Sequence, residues 1–440
     1  MRNRAISSGT FKTIFDSVIP ADTIEAVLNR CGAKRRCPPA ISAPDFIAGL
    51  AFHTVAGPGK FGHHMKQLTG ESITDGALSQ RRSRLLEAVF PQVMAEALEP
   101  LADPQKHPEA FYQGLRLCGV DGTRFSVANT PSVKRAMRKA RSRRGRAAFA
   151  QVGAAVMVEL GLHNPIAAAL GGAGESEMVL ARQLWPSLPE RSLLLIDRYY
   201  GVGEVLVGLP SEGQREFLVR VRSNLKPRYL ESYADGSVLV EIRSGPGTRL
   251  VREIVGQVRR GGGRATTVRV WTSLLDWRRY PARELVALYA RRWEQESFYR
   301  ELKVDTRSLP QLASHTPQTA LQEVAALILG YAVLVRHRIE AAALGEVGVL
   351  RISFMKTLFV VRGLWQFLEL SADLLSPEDI RVVVRRALSQ VADLAISPRR
   401  HRSCPRAVRQ PIRGWPRLMK NSYTHGASEV TVVTPPITNS

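Results

Sequence analysis

Cysteine, acidic residues and long apolar runs are all scarce in this sequence. Only four of its 440 residues are cysteine, and no two of them form a CxxC pair. Cysteines this sparse suit neither a disulfide framework nor a zinc knuckle, and they fit a reducing cytoplasm. The longest apolar run, residues 324–335, is shorter than the stretch of about 20 residues that a membrane-spanning helix needs. We therefore expect a cytoplasmic protein with no membrane segment and no signal peptide.

The deficit of acidic residues leaves a large positive charge. Lys and Arg number 62 against 39 Asp and Glu, which gives a formal net charge of +23. A surplus of this size indicates a polyanionic partner, and nucleic acid is the first candidate. Residues 134–146 alone contain eight Lys or Arg and no acid. Such a run is either a solvated surface or a contact with a phosphate backbone, and its place between two predicted strands favours the phosphate contact.

The first 110 residues carry apolar side chains at three- and four-residue steps, which predicts a helical domain. Its predicted helices are 21–31, 43–55 and 85–101. Between the last two, residues 72–84 suggest a turn at Gly76 followed by a helix bearing Arg81 and Arg82. This is the pattern of a DNA-binding helix-turn-helix, and the alternative is an ordinary helical corner with a basic face.

Three histidines in the same region, His53, His63 and His64, invite a metal-site interpretation. They lie near a turn-like Gly-Pro-Gly stretch and lack acidic neighbours in the sequence, so we favour surface or capping histidines instead. The glycines around them do not have the spacing of a phosphate-binding loop.

Two aspartates each follow a short apolar run that suits a buried strand. The run 115–120 leads into Asp121, and the run 193–196 leads into Asp197, which Arg198 follows. Carboxylates at strand ends repel one another when close, at a cost of roughly 4 kcal/mol for a pair about 4 Å apart at an effective dielectric of 20. Such a cluster needs a cation, and oxygen ligands suit magnesium or manganese better than zinc.

A third acidic residue stands in a helix-favouring stretch near the middle of the second half of the chain. There Tyr289, Arg292, Glu296 and Lys303 are separated by offsets of 3, 7 and 14 from the tyrosine. At about 100° per residue these side chains fall within an arc of roughly 60° on one helix. A carboxylate there can hold a metal, while the cations and the phenol can hold phosphate oxygens. The alternative is a solvated face with an ordinary i, i+4 ion pair.

The order Asp121, Asp197, Glu296, together with Tyr289-x2-Arg292-x3-Glu296-x6-Lys303, resembles the DDE transposases of bacterial insertion sequence family four. The four-residue signature agrees at every position and interval. Trp293 after the arginine and Arg198 after the second aspartate are also similar to the family. The likeness extends over roughly residues 10–420, and its specific motifs lie between 115 and 310.

The resemblance implies an α/β protein with a ribonuclease-H-like catalytic core and a β-rich insertion, flanked by helical N- and C-terminal regions. The domains we expect are a helical DNA-binding domain (1–110), the core (111–200 and 282–345), the insertion (201–281), C-terminal helices (346–397) and a basic, partly disordered tail (398–440). Strand-like segments at 216–221, 237–242, 249–258 and 266–271 support the insertion. Within it, Trp271 and Trp277 either stack on an unpaired base or, as we favour, pack in the core.

The resemblance also implies a function. It predicts that the chain binds the terminal inverted repeats of an insertion sequence through Arg81 and Arg82. Asp121, Asp197 and Glu296 would hold two Mg²⁺ (or Mn²⁺) ions for strand cleavage and strand transfer, with Asp121 bridging the two. Tyr289, Arg292, Lys303 and Arg198 would hold phosphates of double-stranded DNA in a homodimeric synaptic complex. The alternatives are a nuclease of the same fold without strand transfer and a non-catalytic DNA-binding protein.

Overall fold

The structure, a computed structural model, describes residues 11–33, 40–137, 148–172, 175–260, 265–307, 309–371 and 374–396, with short pieces of the remainder. It is a mixed α/β protein, as predicted. The chain divides into two compact units. The first comprises Met1–Pro189 and Trp293–Ala395, and the second comprises Glu190–Arg292 and Ile396–Ser440. Most of the predicted basic tail, 398–440, lies outside the described residues.

The described helices are α1 (Phe11–Val18), α2 (Ala21–Arg30), α3 (Ala43–Val55), α4 (Phe61–Thr69), α5 (Asp75–Arg84), α6 (Val89–Ala97), α7 (Pro131–Ala136), α8 (Glu177–Arg182), α9 (Gly203–Gly208), α10 (Ala282–Leu288), α11 (Trp293–Arg300), α12 (Pro317–Leu344), α13 (Phe354–Leu370) and α14 (Pro377–Asp393). The described strands are β1 (Phe111–Tyr112), β2 (Leu115–Val127), β3 (Arg141–Ser142), β4 (Gly145–Arg146), β5 (Ala150–Glu159), β6 (Asn164–Gly171), β7 (Ser192–Ile196), β8 (Arg215–Arg220), β9 (Arg228–Ser232), β10 (Val238–Ser244), β11 (Gly247–Arg260), β12 (Thr266–Thr272), β13 (Arg402–Ser403), β14 (Thr424–His425) and β15 (Ser428–Val432).

Helix α12 forms the centre of the first unit. It begins at a capping box in which Thr316 and Thr319 satisfy each other's backbone N–H groups. The helix packs against α3, α6, α13 and α14. At Gly330 a Cβ would lie 2.7 Å from the carbonyl oxygen of Ala51, so only glycine permits this approach to α3. Within the described chain, α12 alone has the length and hydropathy to cross a bilayer, and 83% of its apolar window is buried in the protein.

The sheet of the first unit is antiparallel. Strand β5 pairs with β2 on one side and with β6 on the other, and β1 pairs with β2. Asp121 stands opposite Val156 in this register. Helix α8 covers the sheet from one face, and its first turn begins at Ser176, whose side chain accepts a hydrogen bond from the Val179 N–H.

The second unit contains the predicted β-rich segment. Its strands follow the order β7-β8-β12-β11-β10-β9, in which the β7–β8 pair is parallel and the others are antiparallel. Strand β15 adds to the free part of β11. Turns at Gly213 and Gly245 have φ of 66° and 56°, a left-handed conformation that favours glycine.

Several sequence predictions need correction. Gly76 lies inside α5, which begins after Thr74, and the turn before it is made at Gly70, where φ is 76°. Strand β2 does not end at Asp121 but runs on to Val127, because the residues that follow continue the alternation of a strand. Strand β9 was not predicted, since most of its residues are exposed and polar.

Candidate active site

Asp121 lies in the middle of β2 with a half-buried side chain. Its Oδ1 accepts a hydrogen bond from the Gly122 N–H at 2.8 Å. Its backbone carbonyl oxygen accepts a hydrogen bond from the hydroxyl of Tyr299. Burial raises the pKa of Tyr299 well above its ordinary value, and the charges of Asp121 and Glu177 raise it further. The hydroxyl therefore stays protonated and serves as a permanent donor to the strand.

Helix α11 brings Glu296 to this strand. Gln295, one residue earlier, is buried and donates from Nε2 to the carbonyl oxygen of Val156 at 3.2 Å. Tyr299, about one helical turn further on, is bonded to Asp121 itself. Because contacts at 295 and 299 flank it, Glu296 is held on a helix that is docked to β2 and β5. The structure thus brings together the segments that carry Asp121 and Glu296.

Lys303 adds a cation to the same region. Its Nζ donates to Thr123 Oγ1 at 3.0 Å and to the carbonyl oxygen of Arg124 at 2.7 Å. Burial lowers the pKa of Lys303, and the neighbouring Arg307 lowers it further. The ammonium group therefore stands two to three residues along the strand from Asp121, next to a second cation.

Glu177 was missed by sequence reasoning. A Cβ at Gly122 would lie 2.1 Å from Glu177 Cγ and 2.7 Å from its Oε2, so this side chain occupies the space that the glycine leaves open. A second carboxylate therefore lies beside the backbone that follows Asp121. The sequence signal was Gly122 itself, because a glycine within a strand often marks the close approach of another group.

In the second unit, Asp197 directly follows β7, as predicted. Its side chain is 42% exposed, and its Oδ2 lies 3.6 Å from an Nη of Arg292. The hydroxyl of Tyr289 donates to the carbonyl oxygen of Ile196 at 3.1 Å. Burial raises the pKa of Tyr289 to about 12, with smaller effects from Arg292 and Asp197. Arg198 is exposed. Tyr289 and Arg292, the first two residues of the four-residue signature, thus contact the end of β7 and the Asp197 that follows it.

The prediction of one continuous α-helix through the signature is wrong. Tyr289–Arg292 is a 3-10 helix, α11 covers Trp293–Arg300, and Glu301–Asp305 is a π-helix. The wide turn is closed by the Thr306 N–H, which donates to the Glu301 carbonyl oxygen at 3.0 Å. Because 3-10 and π turns rotate by different amounts per residue, the four side chains do not follow the single arc of about 60° that a 3.6-residue period gives.

Arg81 and Arg82 do not present their guanidinium groups as a free basic face. Arg81 donates to the carbonyl oxygens of Ile41 and Ser42. Arg82 donates to Ser314 Oγ and to the carbonyl oxygen of Thr319, and burial lowers its pKa. Both side chains tie α5 to the rest of the first unit, so a weaker DNA affinity after their substitution would not by itself identify a DNA contact.

His53, His64 and Trp271 have clear packing roles. His53 Nδ1 and His64 Nδ1 lie 2.8 Å apart, and burial lowers the pKa of His53 to about 4, with a smaller effect of His64. His64 is buried, which contradicts the surface part of the prediction that these histidines are surface or capping residues. Trp271 is buried and donates to Glu253 Oε2 at 2.6 Å, which confirms the favoured prediction of a core tryptophan.

The donor chemistry of the acidic residues fits a hard divalent cation, because carboxylates supply only oxygen. Over the part of the chain that the structure describes, no group of three or more His, Cys, Asp or Glu side chains is arranged so that it could bind a metal ion. Magnesium sites in nucleic-acid enzymes are commonly completed by one or two carboxylates and substrate phosphates. The side chains of Asp121 and Glu296 thus have the donor chemistry of such a site, in which phosphate oxygens provide further ligands.

The sequence is similar to known transposases. A family described as "Transposase DDE domain" matches residues 113–332. The transposase InsG for insertion sequence element IS4 of Escherichia coli strain K12 is 27% identical over 361 residues, which cover 80% of each chain. A cryo-EM structure of a piggyBac transposase synaptic complex with hairpin DNA aligns with 89% of this chain and 86% of that one. The TM-score of this alignment is 0.44 and the identity is 11%.

Proposed function

This chain belongs to the DDE transposases of insertion sequence family four, and on that premise we propose that Asp121, Asp197 and Glu296 are its catalytic carboxylates. Membership makes it a DNA-cleaving and strand-transferring enzyme that depends on divalent cations. The observation that carries the residue assignment is the docking of α11 on β2. There, contacts at Gln295 and Tyr299 hold the glutamate of the signature against the strand of Asp121.

We further propose that the catalytic core is ribonuclease-H-like. The antiparallel β1, β2, β5 and β6, followed by α8 and the strand β7, support this assignment. The β-rich segment of the second unit then corresponds to an insertion between the second aspartate and the glutamate. Its strands, from β8 to β12, lie within the expected range 201–281 and support this proposal.

The cations in this proposal are two Mg²⁺ or Mn²⁺ ions, with Asp121, Asp197 and Glu296 as their protein ligands. When bound, such ions lower the pKa of a water or a 3′ hydroxyl and stabilise the leaving oxygen. The chain itself supplies the orientation. Tyr299 holds the backbone at Asp121, so the orientation of this half-buried carboxylate is set before the reaction.

The cationic residues of the signature have the role of holding DNA phosphates. Lys303 lies along β2 from Asp121, and Arg292 lies beside Asp197, so each accompanies one catalytic aspartate. Arg198 is exposed and adds a further charge after Asp197. Tyr289 acts differently from our first expectation, because its hydroxyl is engaged with the Ile196 carbonyl and supports the strand end.

DNA is the partner of this enzyme family, and the net charge of +23 suits it. We propose that the specific substrate is the terminal inverted repeat of an insertion sequence, bound by a homodimer in a synaptic complex in the cytoplasm. The helical first 110 residues, which include the α4–α5 pair, are the proposed DNA-binding domain. Arg81 and Arg82 then act in it by fixing α5.

The test uses conservative substitutions in the full chain. Asp121→Asn, Asp197→Asn and Glu296→Gln each remove one charge and keep the shape of the side chain. We expect each to abolish strand cleavage and joining of end DNA in Mg²⁺, while affinity for that DNA in the absence of metal is retained. The matched controls are Asp22→Asn and Glu25→Gln, which remove exposed charges on α2. Cleavage at the normal rate by any of the three variants contradicts the assignment.

A further inference from the structure

His163 is a buried histidine that the proposed chemistry does not use. It lies in the turn between β5 and β6 with a positive φ of 56°, and its side chain is 1% exposed. Its Nδ1 lies 2.9 Å from Glu301 Oε2, and its Nε2 lies 3.0 Å from Glu294 Oε2. Both ring nitrogens thus contact carboxylates of the segment that contains Glu296.

The contacts define the charge of this histidine. An ionised carboxylate only accepts hydrogen bonds, so both ring nitrogens act as N–H donors in an imidazolium. Burial by itself lowers the pKa of His163, but Glu301 and Glu294 outweigh it and raise the pKa above its ordinary value. Arg338 contacts both oxygens of Glu301 at 3.2 and 3.3 Å. Two buried cations therefore face two carboxylates, which makes the cluster neutral as a whole.

Glu301 is the centre of this cluster. Besides His163 and Arg338, the hydroxyl of Tyr331 donates to its Oε2 at 2.7 Å. Although burial favours the protonated acid, His163 and Arg338 lower the pKa of Glu301 to about 2. The π-helix begins at this residue. The widened turn therefore starts at a side chain that three donors hold.

His163 bridges Glu294 and Glu301, and the spacing of these two carboxylates relates this bridge to the proposed active site. Glu294 and Glu301 are seven residues apart, which is about two helical turns, so they lie on one face of the segment. Glu296 and Tyr299 lie between them. The bridge therefore fixes both ends of the segment whose middle carries the catalytic glutamate and the donor to Asp121.

We propose that His163 is a positioning residue for Glu296: by bridging Glu294 and Glu301 it holds the segment 294–301 in place against the strand that carries Asp121. This inference rests on the proposed role of Glu296 as a metal ligand. A group that orients a metal ligand typically contributes 10- to 100-fold to metal affinity or activity, because a small displacement of the ligand weakens the site. Loss of His163 thus affects the metal requirement and leaves the DNA surface intact.

The experiment compares two buried histidines of the same unit. His163→Gln removes the bridge. His337→Gln is the matched control, because His337 is equally buried on α12 and bonds only to the Val333 carbonyl among the contacts described. Mn²⁺ binding to the complex of the full chain with precleaved end DNA is measured from the loss of the free-ion signal in electron paramagnetic resonance. DNA affinity without metal and the Mg²⁺ midpoint of cleavage are measured in parallel.

We expect His163→Gln to weaken Mn²⁺ binding and to raise the Mg²⁺ midpoint by about 10-fold or more, with unchanged metal-free DNA affinity. His337→Gln is expected to lose stability without a change in Mn²⁺ affinity or in the Mg²⁺ midpoint. Equal Mn²⁺ affinities and equal Mg²⁺ midpoints in the two variants overturn the proposal. If His163→Gln does not fold, Glu294→Ala carries the test, because it breaks one end of the bridge at a side chain that is 14% exposed. An unchanged Mg²⁺ midpoint of cleavage in Glu294→Ala likewise overturns the proposal.

Glu296→Gln separates this inference from the function on which it rests. If Glu296→Gln cleaves normally, the assignment of Glu296 is wrong, and the positioning role is overturned with it. If Glu296→Gln is inactive and His163→Gln has a normal metal midpoint, only the positioning role is overturned. The expected result is an inactive Glu296→Gln together with a His163→Gln variant that recovers cleavage when the Mg²⁺ concentration is raised.

Discussion

The two units support the proposed catalytic carboxylates in different ways. In the first unit, Asp121 and Glu296 are half-buried, and the segments that carry them are held by hydrogen bonds of Gln295, Tyr299 and His163. In the second unit, Asp197 is 42% exposed at the end of a strand, with an ion pair of 3.6 Å to Arg292. One region is built from a buried hydrogen-bond network and the other from a solvated strand end.

This difference predicts in which region stability and catalysis depend on the same residues. A buried charged network is costly to disturb because its members lose both partner and solvent. A half-exposed carboxylate is solvated already, so its removal changes stability little. We therefore expect substitutions around Glu296 to affect folding and catalysis together, whereas substitutions at Asp197 affect catalysis alone.

The largest effect on stability is expected for Glu301→Gln. This change leaves His163 and Arg338 buried without their shared anion, and loss of one member of a buried pair costs about 3–5 kcal/mol. Glu241→Gln in the second unit is the control, since its partners Arg228 and Arg243 are well exposed and the expected loss is below about 1 kcal/mol. Urea denaturation of the full chain measures both. Equal losses would remove the distinction between the two regions.

The second effect is a dependence of stability on pH. The folded pKa of His163 is raised above 6.5, so its contribution is complete below pH 6.5 and is lost as the pH rises through the folded value. The folded pKa of Glu301 is lowered from 4.5 to about 2, so its contribution is present above pH 4.5 and is lost as the pH falls toward 2. In His163→Gln the alkaline decline should disappear. A decline of the same size in that variant would show that another group causes it.

The third effect concerns the strand end in the second unit. Tyr289→Phe removes the donor to the Ile196 carbonyl, which is expected to cost about 1 kcal/mol. With a pKa of about 12 the hydroxyl is protonated throughout the neutral range, so the loss should not vary between pH 6 and 8. The control is Tyr199→Phe, which removes a hydroxyl from a tyrosine that is 44% exposed and lies two residues after Asp197. No loss in Tyr289→Phe would mean that the carbonyl is satisfied without this hydroxyl.

The smallest effect on stability is expected for Asp197→Asn. Because this side chain is largely solvated, its removal should change the free energy of unfolding by less than about 1 kcal/mol, although cleavage is lost. Thermal denaturation and a cleavage assay on the same preparation test the two halves of this prediction. Strong destabilisation would place Asp197 in the same class as the buried carboxylates of the first unit.

Regular elements were predictable where the apolar pattern is strong. Helix α3 has the predicted bounds, because most of its residues are apolar and buried and the run is long enough for a helix. The pattern failed where polar residues continue an element, as in β2 beyond Asp121 and in β9. It also failed within residues 289–305, because contacts elsewhere in the fold decide which type of helical turn forms there.

The candidate site was predictable only in part. Resemblance led to the prediction of the three acidic residues, and the intervals from Tyr289 led to the prediction of Glu296 and Lys303. The partners that hold them were not predictable. Tyr299 lies 178 residues from Asp121, and His163 lies 131 residues from Glu294 and 138 from Glu301. A single sequence contains no local signal for such pairings, which depend on how β5, β6 and α11 come together.

The most direct measurement is the cleavage rate of Asp121→Asn, of Asp197→Asn and of the double variant under single-turnover conditions. If the two aspartates, one from each unit, serve the same reaction step, each single variant loses on the order of 10³-fold or more and the double variant loses no more than the slower single. A normal rate in either single variant, or a loss in the double variant equal to the product of the two single losses, would contradict the account.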